Sequence, residues 1–346
     1  MFTPSRLTLA RQRRGLSKAE LAERVRVTVR SIAGFEAGEI SPAAETVALL
    51  ASALRFPEPF FSDEPVDLAA VGDASFRSLK SMTAWQRHAA LASGALAIDI
   101  ARWLRVRFEF SPGAIPDLRG LDPEAAAVTL RDQWGLGSGP APNMVHLLES
   151  HGVHVFSLAP DCRTVDAFST WIDGLPHVFL NTLKSAEHGR FDAAHELGHL
   201  VLHRHGQPNG RVAENEAHAF ASAFLLPKQS MVTIAPALVT VDLLRRLKGR
   251  WRVSVSALAH RLRSLELVSE WQYRMACIEI SRRGYRTKEP DGVARESSQA
   301  LDKAFVQLRS EGLSRADIAA QLHLSLSDFN SLTFAPAALS TPVRSI

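Results

Sequence analysis

The sequence predicts a mainly helical α+β protein with more than one domain, on three observations. The chain has 346 residues, more than one ordinary domain holds. Apolar residues recur at helical spacing in several long segments, whereas strand-like segments occupy residues 153–181. The composition, 46% hydrophobic and 22% charged, is that of a globular protein. We therefore expect helical units on either side of a small sheet.

The number of cysteines and the length of the apolar segments indicate the cellular compartment of the protein. Cys162 and Cys277 are too few for a disulfide framework, which fits a reducing environment. The N-terminus lacks the apolar core of a signal peptide, and no run reaches eighteen consecutive apolar residues. We therefore expect a soluble, cytoplasmic protein with no membrane partner.

The first helical unit, residues 1–62, is predicted to be a helix-turn-helix. Ser17 starts a helix with a capping box, because Glu20 follows three residues later. Thr28 starts a second helix after a turn short enough to cross the two helices steeply. Residues 1–55 carry nine basic against five acidic side chains, a balance that suits a polyanion.

This unit resembles the XRE family of helix-turn-helix repressors over about 60 residues. The resemblance is carried by residues 9–11, 15–17, 20–22, 35–38, 42 and 57–61, with Lys18 and Phe35 where the family often has Gln and Trp. It implies duplex DNA as a partner. By resemblance, the residues facing the major groove are Val29, Arg30 and Ser31, and those near phosphates are Lys18 and Arg11. The alternative is a dimerisation or docking module without DNA binding.

Residues 63–143 are predicted to be a helical connector, and a small sheet follows it. Helices are expected over 85–103, 124–134 and 144–150, and strands over 153–158, 167–172 and 177–181, with a turn at 173–176. An exposed edge strand in such a sheet can pair with an extended substrate.

A His-Glu-x-x-His pattern follows the sheet. His195 and His199 are four residues apart, so they share one helix face and can bind one Zn²⁺. Glu196 lies beside the metal position, where it can act as the general base that takes a proton from water and passes it to the leaving amine. The rest of this helix is mostly apolar, so the polar residues need a functional explanation.

The third metal ligand has several candidates. His205 lies six residues after His199, but Leu202 stands where that arrangement needs a glycine. We therefore expect the helix to continue through His203 and His205.

A glutamate on the next helix is the preferred source of the third ligand. Glu214 and Glu216 both qualify. We favour Glu214, because His218 four residues later could support it and Ala217 lies on its face. Glu216 stays open as the alternative third ligand.

Residues 145–290 resemble the ImmA/IrrE family of metallopeptidases. The resemblance is carried by residues 190–203, 214–227 and 251–262, with His218 where Asn or Asp is usual. It implies a zincin-like domain with a glutamate third ligand, Zn²⁺ as cofactor and an XRE-type repressor protein as substrate. A basic stretch at 245–252 is expected to form a solvated helix surface, with docking of an acidic partner as the alternative.

Residues 312–319 match residues 15–22 with an identical or chemically similar residue at each position, which predicts a second helix-turn-helix. It has Ser327 and Asp328 where the first has Arg30 and Ser31, and residues 297–346 balance four basic with four acidic side chains. We therefore expect it to pack or contact protein rather than DNA. The predicted domains are 1–62, 63–143, 144–292 and 297–335, followed by a tail at 336–346.

Together these features predict a DNA-binding regulatory zinc metallopeptidase that cleaves a repressor-type protein. A transcriptional regulator whose zinc domain only senses a signal is the alternative, and a protein-interaction module is a third hypothesis. The presence of Glu196 favours the first, because a sensor needs no general base. A homodimer stays open.

Overall fold

The computed structural model describes residues 1–68, 83–158, 165–204, 210–235 and 238–335. Cys162, His205 and the predicted tail lie outside these residues. The described chain is mainly helical with one three-stranded sheet, which confirms the predicted fold class.

The helices and strands have the following bounds. The N-terminal and connecting helices are α1 (Pro4–Arg13), α2 (Lys18–Val25), α3 (Val29–Ala37), α4 (Ala44–Leu54), α5 (Ala84–Arg105), α6 (Pro123–Gln133) and α7 (Met144–Ser150), with a 3-10 turn at Glu58–Ser62. The strands are β1 (His154–Ser157), β2 (Ala167–Ile172) and β3 (Leu175–Leu180). The remaining helices are α8 (Ala186–Leu202), α9 (Gly210–Leu225), α10 (Lys228–Ile234), α11 (Val241–Trp251), α12 (Val255–Ser264), α13 (Glu270–Arg282), α14 (Gln299–Ser310), α15 (Arg315–Gln321) and α16 (Leu326–Leu332). No described helix combines the length and apolar character needed to cross a membrane.

The N-terminal helices form the predicted helix-turn-helix. The Ser17 hydroxyl accepts from the Glu20 amide at 3.1 Å, and the Glu20 carboxylate accepts from the Ser17 amide at 2.7 Å. This reciprocal pair confirms the capping box. Thr28 caps α3 by accepting from the Ser31 amide at 3.0 Å. Arg26 makes the turn between α2 and α3 in the left-handed region, at φ 56°.

Helix α5 packs on the helix-turn-helix, although the sequence predicts it as part of a connector. It contacts α1, and Arg6 Nη1 lies 2.6 Å from Asp99 Oδ2 across that contact. The same apolar core includes Leu301, Phe305 and Phe329 from α14 and α16. The first and last helical units and α5 therefore contribute to one core.

Asp328 joins the two helix-turn-helix units directly. Its side chain, 3% exposed, lies 2.8 Å from Arg13 Nη2 and accepts from Arg14 at 2.9 and 2.7 Å. Burial alone would raise the pKa of Asp328, but the Arg14 hydrogen bonds and the charges of Arg13 and Arg14 together lower it. Helix α16 thus packs its acidic residue against Arg13 and Arg14 at the end of α1.

Replacing Asp328 with alanine is expected to lower the free energy of unfolding by about 3–5 kcal/mol, because two guanidinium groups lose their buried counter-charge. Urea denaturation followed by circular dichroism measures the change, with the exposed Glu311→Ala as control. Because the folded-state pKa of Asp328 is lowered, its contribution is present above the carboxyl's ordinary pKa and is lost as the pH falls through the folded value. Equal midpoints for the two variants at neutral pH would contradict the role.

The sheet lies between two apolar cores. Its strand order is β1-β3-β2, with β3 parallel to β1 and antiparallel to β2. Phe156, Phe168 and Phe179 point to the core shared with the helix-turn-helix units. Val155 and Val178 point to a second core, which α8 and α9 also line. This alternation is the period-two pattern of a strand buried on both faces.

The prediction of a solvated surface at 245–252 is wrong for Lys248. Its side chain is fully buried, with Nζ 2.8 Å from Glu187 Oε1 and 3.2 Å from Glu289 Oε1. Two carboxylates and a backbone carbonyl, that of Pro290 at 2.6 Å, compensate the buried ammonium.

Candidate metal centre

Helix α8 carries the His-Glu-x-x-His pattern next to β2. Ser185 caps it by accepting from the His188 amide at 3.2 Å. The helix ends at Leu202, and His203 has left helical geometry at φ −127° and ψ 20°. The prediction that the helix continues through His203 is therefore wrong.

Gly198 lets α8 and α9 approach closely. A Cβ at this position would lie 3.0 Å from Phe220 Cδ1 and 3.2 Å from the Cα of Ala217. These distances are tighter than most Cβ contacts, so a side chain at position 198 would require α9 to shift by a few tenths of an ångström. This close approach brings the first turns of α9 to the histidine face of α8.

The structure brings His195, His199 and Glu214 together. The two histidine Nε2 atoms are 3.1 Å apart. Glu214 Oε2 lies 3.3 Å from His195 Nε2, and Glu214 Oε1 lies 3.5 Å from His199 Nε2. The three donor atoms all fall within 4.8 Å of one another.

The electrostatics of this cluster suit a divalent cation. Burial alone would raise the pKa of Glu214, but the close approach of the His195 and His199 rings to its carboxylate holds it well below its usual range. Burial alone would lower the pKa of His195, and the contact with Glu214 together with nearby carboxylates raises it instead. Glu214 Oε1 is buried without a hydrogen-bond partner among the described residues. Two imidazoles and one carboxylate are a donor set that Zn²⁺ takes, so the residues fit this metal.

Glu196 lies beside the cluster and is held by a strand residue. Its side chain is buried, and its Oε2 accepts from the Ser169 hydroxyl at 2.6 Å. Ser169 belongs to β2, so the sheet fixes the orientation of this carboxylate. Ser169 was not among the predicted site residues, because in the sequence it is only one of two adjacent hydroxyl residues, with Thr170, in a mostly apolar strand.

Glu216 and His218 do not join the cluster. Glu216 Oε2 lies 2.9 Å from His203 Nε2, on the far side of His199. The His218 ring contacts Phe191 and His260, with centroids 4.9 and 5.7 Å apart, so its contacts differ from the expected support of Glu214. Phe191, His218 and His260 line a cavity of about 710 Å³ beside α8.

The candidate groove-facing residues lie at the start of α3. Val29 and Arg30 are exposed there. Ser31 is half-buried, and its hydroxyl pairs with that of Thr28 at 2.8 Å.

The two candidate phosphate contacts differ in exposure. Lys18 has a side chain 44% exposed, with Nζ 3.3 Å from Glu36. Arg11 is buried instead, donating to both Glu36 oxygens at 2.5 and 3.0 Å and to the Leu16 carbonyl at 2.8 Å. The guanidinium of Arg11 therefore ties α1 to α3 and does not reach the surface expected for it.

Comparisons with known families match two segments of the chain. Residues 7–61 match a family model described as a helix-turn-helix, and residues 148–263 match a peptidase-family model described as an IrrE N-terminal-like domain. A search of curated proteins found no match. The second segment contains the whole cluster of His195, His199 and Glu214. The chain thus joins an XRE-type helix-turn-helix domain to an ImmA/IrrE-like domain of a metallopeptidase family.

Proposed function

We propose that the protein is a DNA-binding regulatory zinc metallopeptidase that cleaves a repressor-type protein. The observation that carries the proposal is the placement of three donors, His195, His199 and Glu214, beside a buried carboxylate, Glu196. A zinc-sensing regulator would need only the three metal donors, and a protein-interaction module would need none of them. Neither would need the buried carboxylate of Glu196.

Each residue of the site has a separate role in the proposed hydrolysis. His195, His199 and Glu214 would hold Zn²⁺, which when bound acts as a Lewis acid and makes water more acidic. Glu196 accepts the proton of the attacking water and later donates it to the leaving amine. Ser169 keeps the Glu196 carboxylate oriented through the 2.6 Å hydrogen bond to Oε2.

The substrate is proposed to be an extended segment that lies along β2. Among the described residues, β2 pairs with β3 alone, so its other edge is not paired with a strand. A peptide that adds beside β2 passes Ser169 and therefore the Glu196 carboxylate. The neighbouring cavity of about 710 Å³ has room for a side chain of such a peptide. Another helix-turn-helix repressor, or a second copy of this chain, is the substrate that the paired domain architecture favours.

DNA binding is proposed for α3. Replacing Arg30 with alanine in the full chain is expected to weaken binding to a specific duplex by about 5- to 150-fold, because a base-contacting arginine contributes roughly 1–3 kcal/mol. Affinity for that duplex should also fall steeply with salt, since phosphate contacts release counterions. Fluorescence anisotropy on duplexes selected by the wild-type protein measures both effects.

Arg274→Ala is the matched control, because this side chain is 74% exposed and lies on α13. Equal losses for Arg30→Ala and Arg274→Ala would point to nonspecific charge. Absence of any duplex affinity at low salt would favour the docking-module alternative.

A further inference from the structure

A line of polar side chains runs from His199 toward the surface, behind the proposed metal centre. His199 Nδ1 lies 3.0 Å from His203 Nδ1, and His203 Nε2 lies 2.9 Å from Glu216 Oε2. The His203 side chain is 7% exposed and that of Glu216 is 39% exposed. The line therefore begins at a partly buried ring that faces the donor cluster and ends at a carboxylate that is more exposed to water.

The contacts fit one consistent placement of protons. Nε2 of His199 faces His195 and Glu214, so it is the atom that binds a cation, and the ring proton belongs on Nδ1. That proton is donated to His203 Nδ1, which then acts as an acceptor. His203 consequently carries its own proton on Nε2, where the Glu216 carboxylate accepts it.

We infer that His203 and Glu216 are positioning residues that hold His199 in its metal-binding tautomer and orientation. Metal ligation draws electron density from the His199 ring and leaves it partly positive. The carboxylate of Glu216 stabilises that charge through the neutral His203 ring, as a carboxylate does when it accepts directly from a ligand histidine. This inference rests on the proposed metal centre.

The position of His203 follows from the end of α8. Because the helix stops at Leu202, His203 is free of helical geometry while its amide still donates to the His199 carbonyl at 3.0 Å. Its ring can therefore sit between His199 and the second turn of α9. Glu216 is consequently a supporting residue, and Glu214 is the ligand that α9 supplies.

The test measures zinc affinity of the full chain by competition with a chromophoric chelator, so it needs no peptidase assay. His203→Leu removes both hydrogen bonds and is expected to weaken Zn²⁺ binding by about 10- to 100-fold. His203→Asn keeps an amide oxygen near the former Nδ1 position and should recover part of the loss. Glu216→Gln keeps an acceptor without the charge and should show a smaller loss. Glu266→Gln removes an exposed carboxylate elsewhere and should match the wild type.

Urea denaturation in the presence of a chelator separates this effect from unfolding. If His203→Leu fails to fold, the comparison of His203→Asn and Glu216→Gln with Glu266→Gln decides the question. Wild-type zinc affinity in the folded His203 and Glu216 variants would overturn the inference and leave the metallopeptidase proposal intact. Absence of zinc from the wild type would instead overturn the proposed metal centre itself.

Discussion

Loss of the bound metal is the expected result of replacing His195, His199 or Glu214 with alanine. Each change removes one of three protein donors that lie within 4.8 Å of one another, and two remaining donors hold zinc far less tightly than three. Elemental analysis after expression with added zinc should give about one zinc per chain for the wild type and a near-zero value for the three variants.

Two further variants make the metal measurement specific. Glu196→Gln should retain its zinc, because Glu196 pairs with Ser169 and lies outside the three-donor cluster. Glu216→Ala should bind zinc more weakly without losing the site. If Glu216→Ala lost the metal and Glu214→Ala retained it, the assignment of the third ligand would be wrong. A metal-free wild type would remove the basis of the zinc proposal.

Glu196→Gln is expected to abolish peptide hydrolysis while the fold and the zinc content persist. A glutamine amide cannot accept the proton of the attacking water, and loss of a general base costs about 10²- to 10⁴-fold in rate. The Ser169 hydroxyl can still donate to the glutamine oxygen, so the side chain should stay in place.

The assay incubates zinc-loaded protein with helix-turn-helix repressors and, separately, with itself, and identifies fragments by mass spectrometry. Cleavage should fall in extended segments, because a strand that adds beside β2 must first be free of helix. Identical fragment patterns from wild type and Glu196→Gln would reject the peptidase proposal. The regulator with a zinc-sensing domain would then be the better account.

Local patterns were enough to predict most elements of the fold. The Ser17 capping box, the strands near residues 155, 168 and 178, and the helix of the His-Glu-x-x-His pattern are all set by residues within one or two turns of each other. Glu214 could also be favoured from sequence, because small residues on α9 predict a close contact with another helix. In the structure, Gly198 is the small residue of α8 at that contact.

Contacts between distant segments could not be predicted in this way. Ser169 precedes Glu196 by 27 residues, and Lys248 follows Glu187 by 61 residues. From sequence alone, a hydroxyl in a strand and a lysine in a basic helix are both expected to be exposed to solvent. Only the tertiary structure shows that each lies beside a carboxylate. Arg11 shows the same difficulty, because only the packing of α1 on α3 reveals Glu36 as its partner.

The contact between Arg14 and Asp328 spans 314 positions of the chain, and this separation constrains the order of folding. During synthesis, at about 5–20 residues per second, the first helices leave the ribosome roughly 15–60 seconds before Asp328 does. Until then Arg13 and Arg14 lack their contact with Asp328, and the shared core lacks Phe305 and Phe329. The N-terminal helix-turn-helix unit therefore completes its packing only after α16 has been synthesised. Contacts of such long range slow folding, since the entropy of closing the loop is lost before the contact repays it.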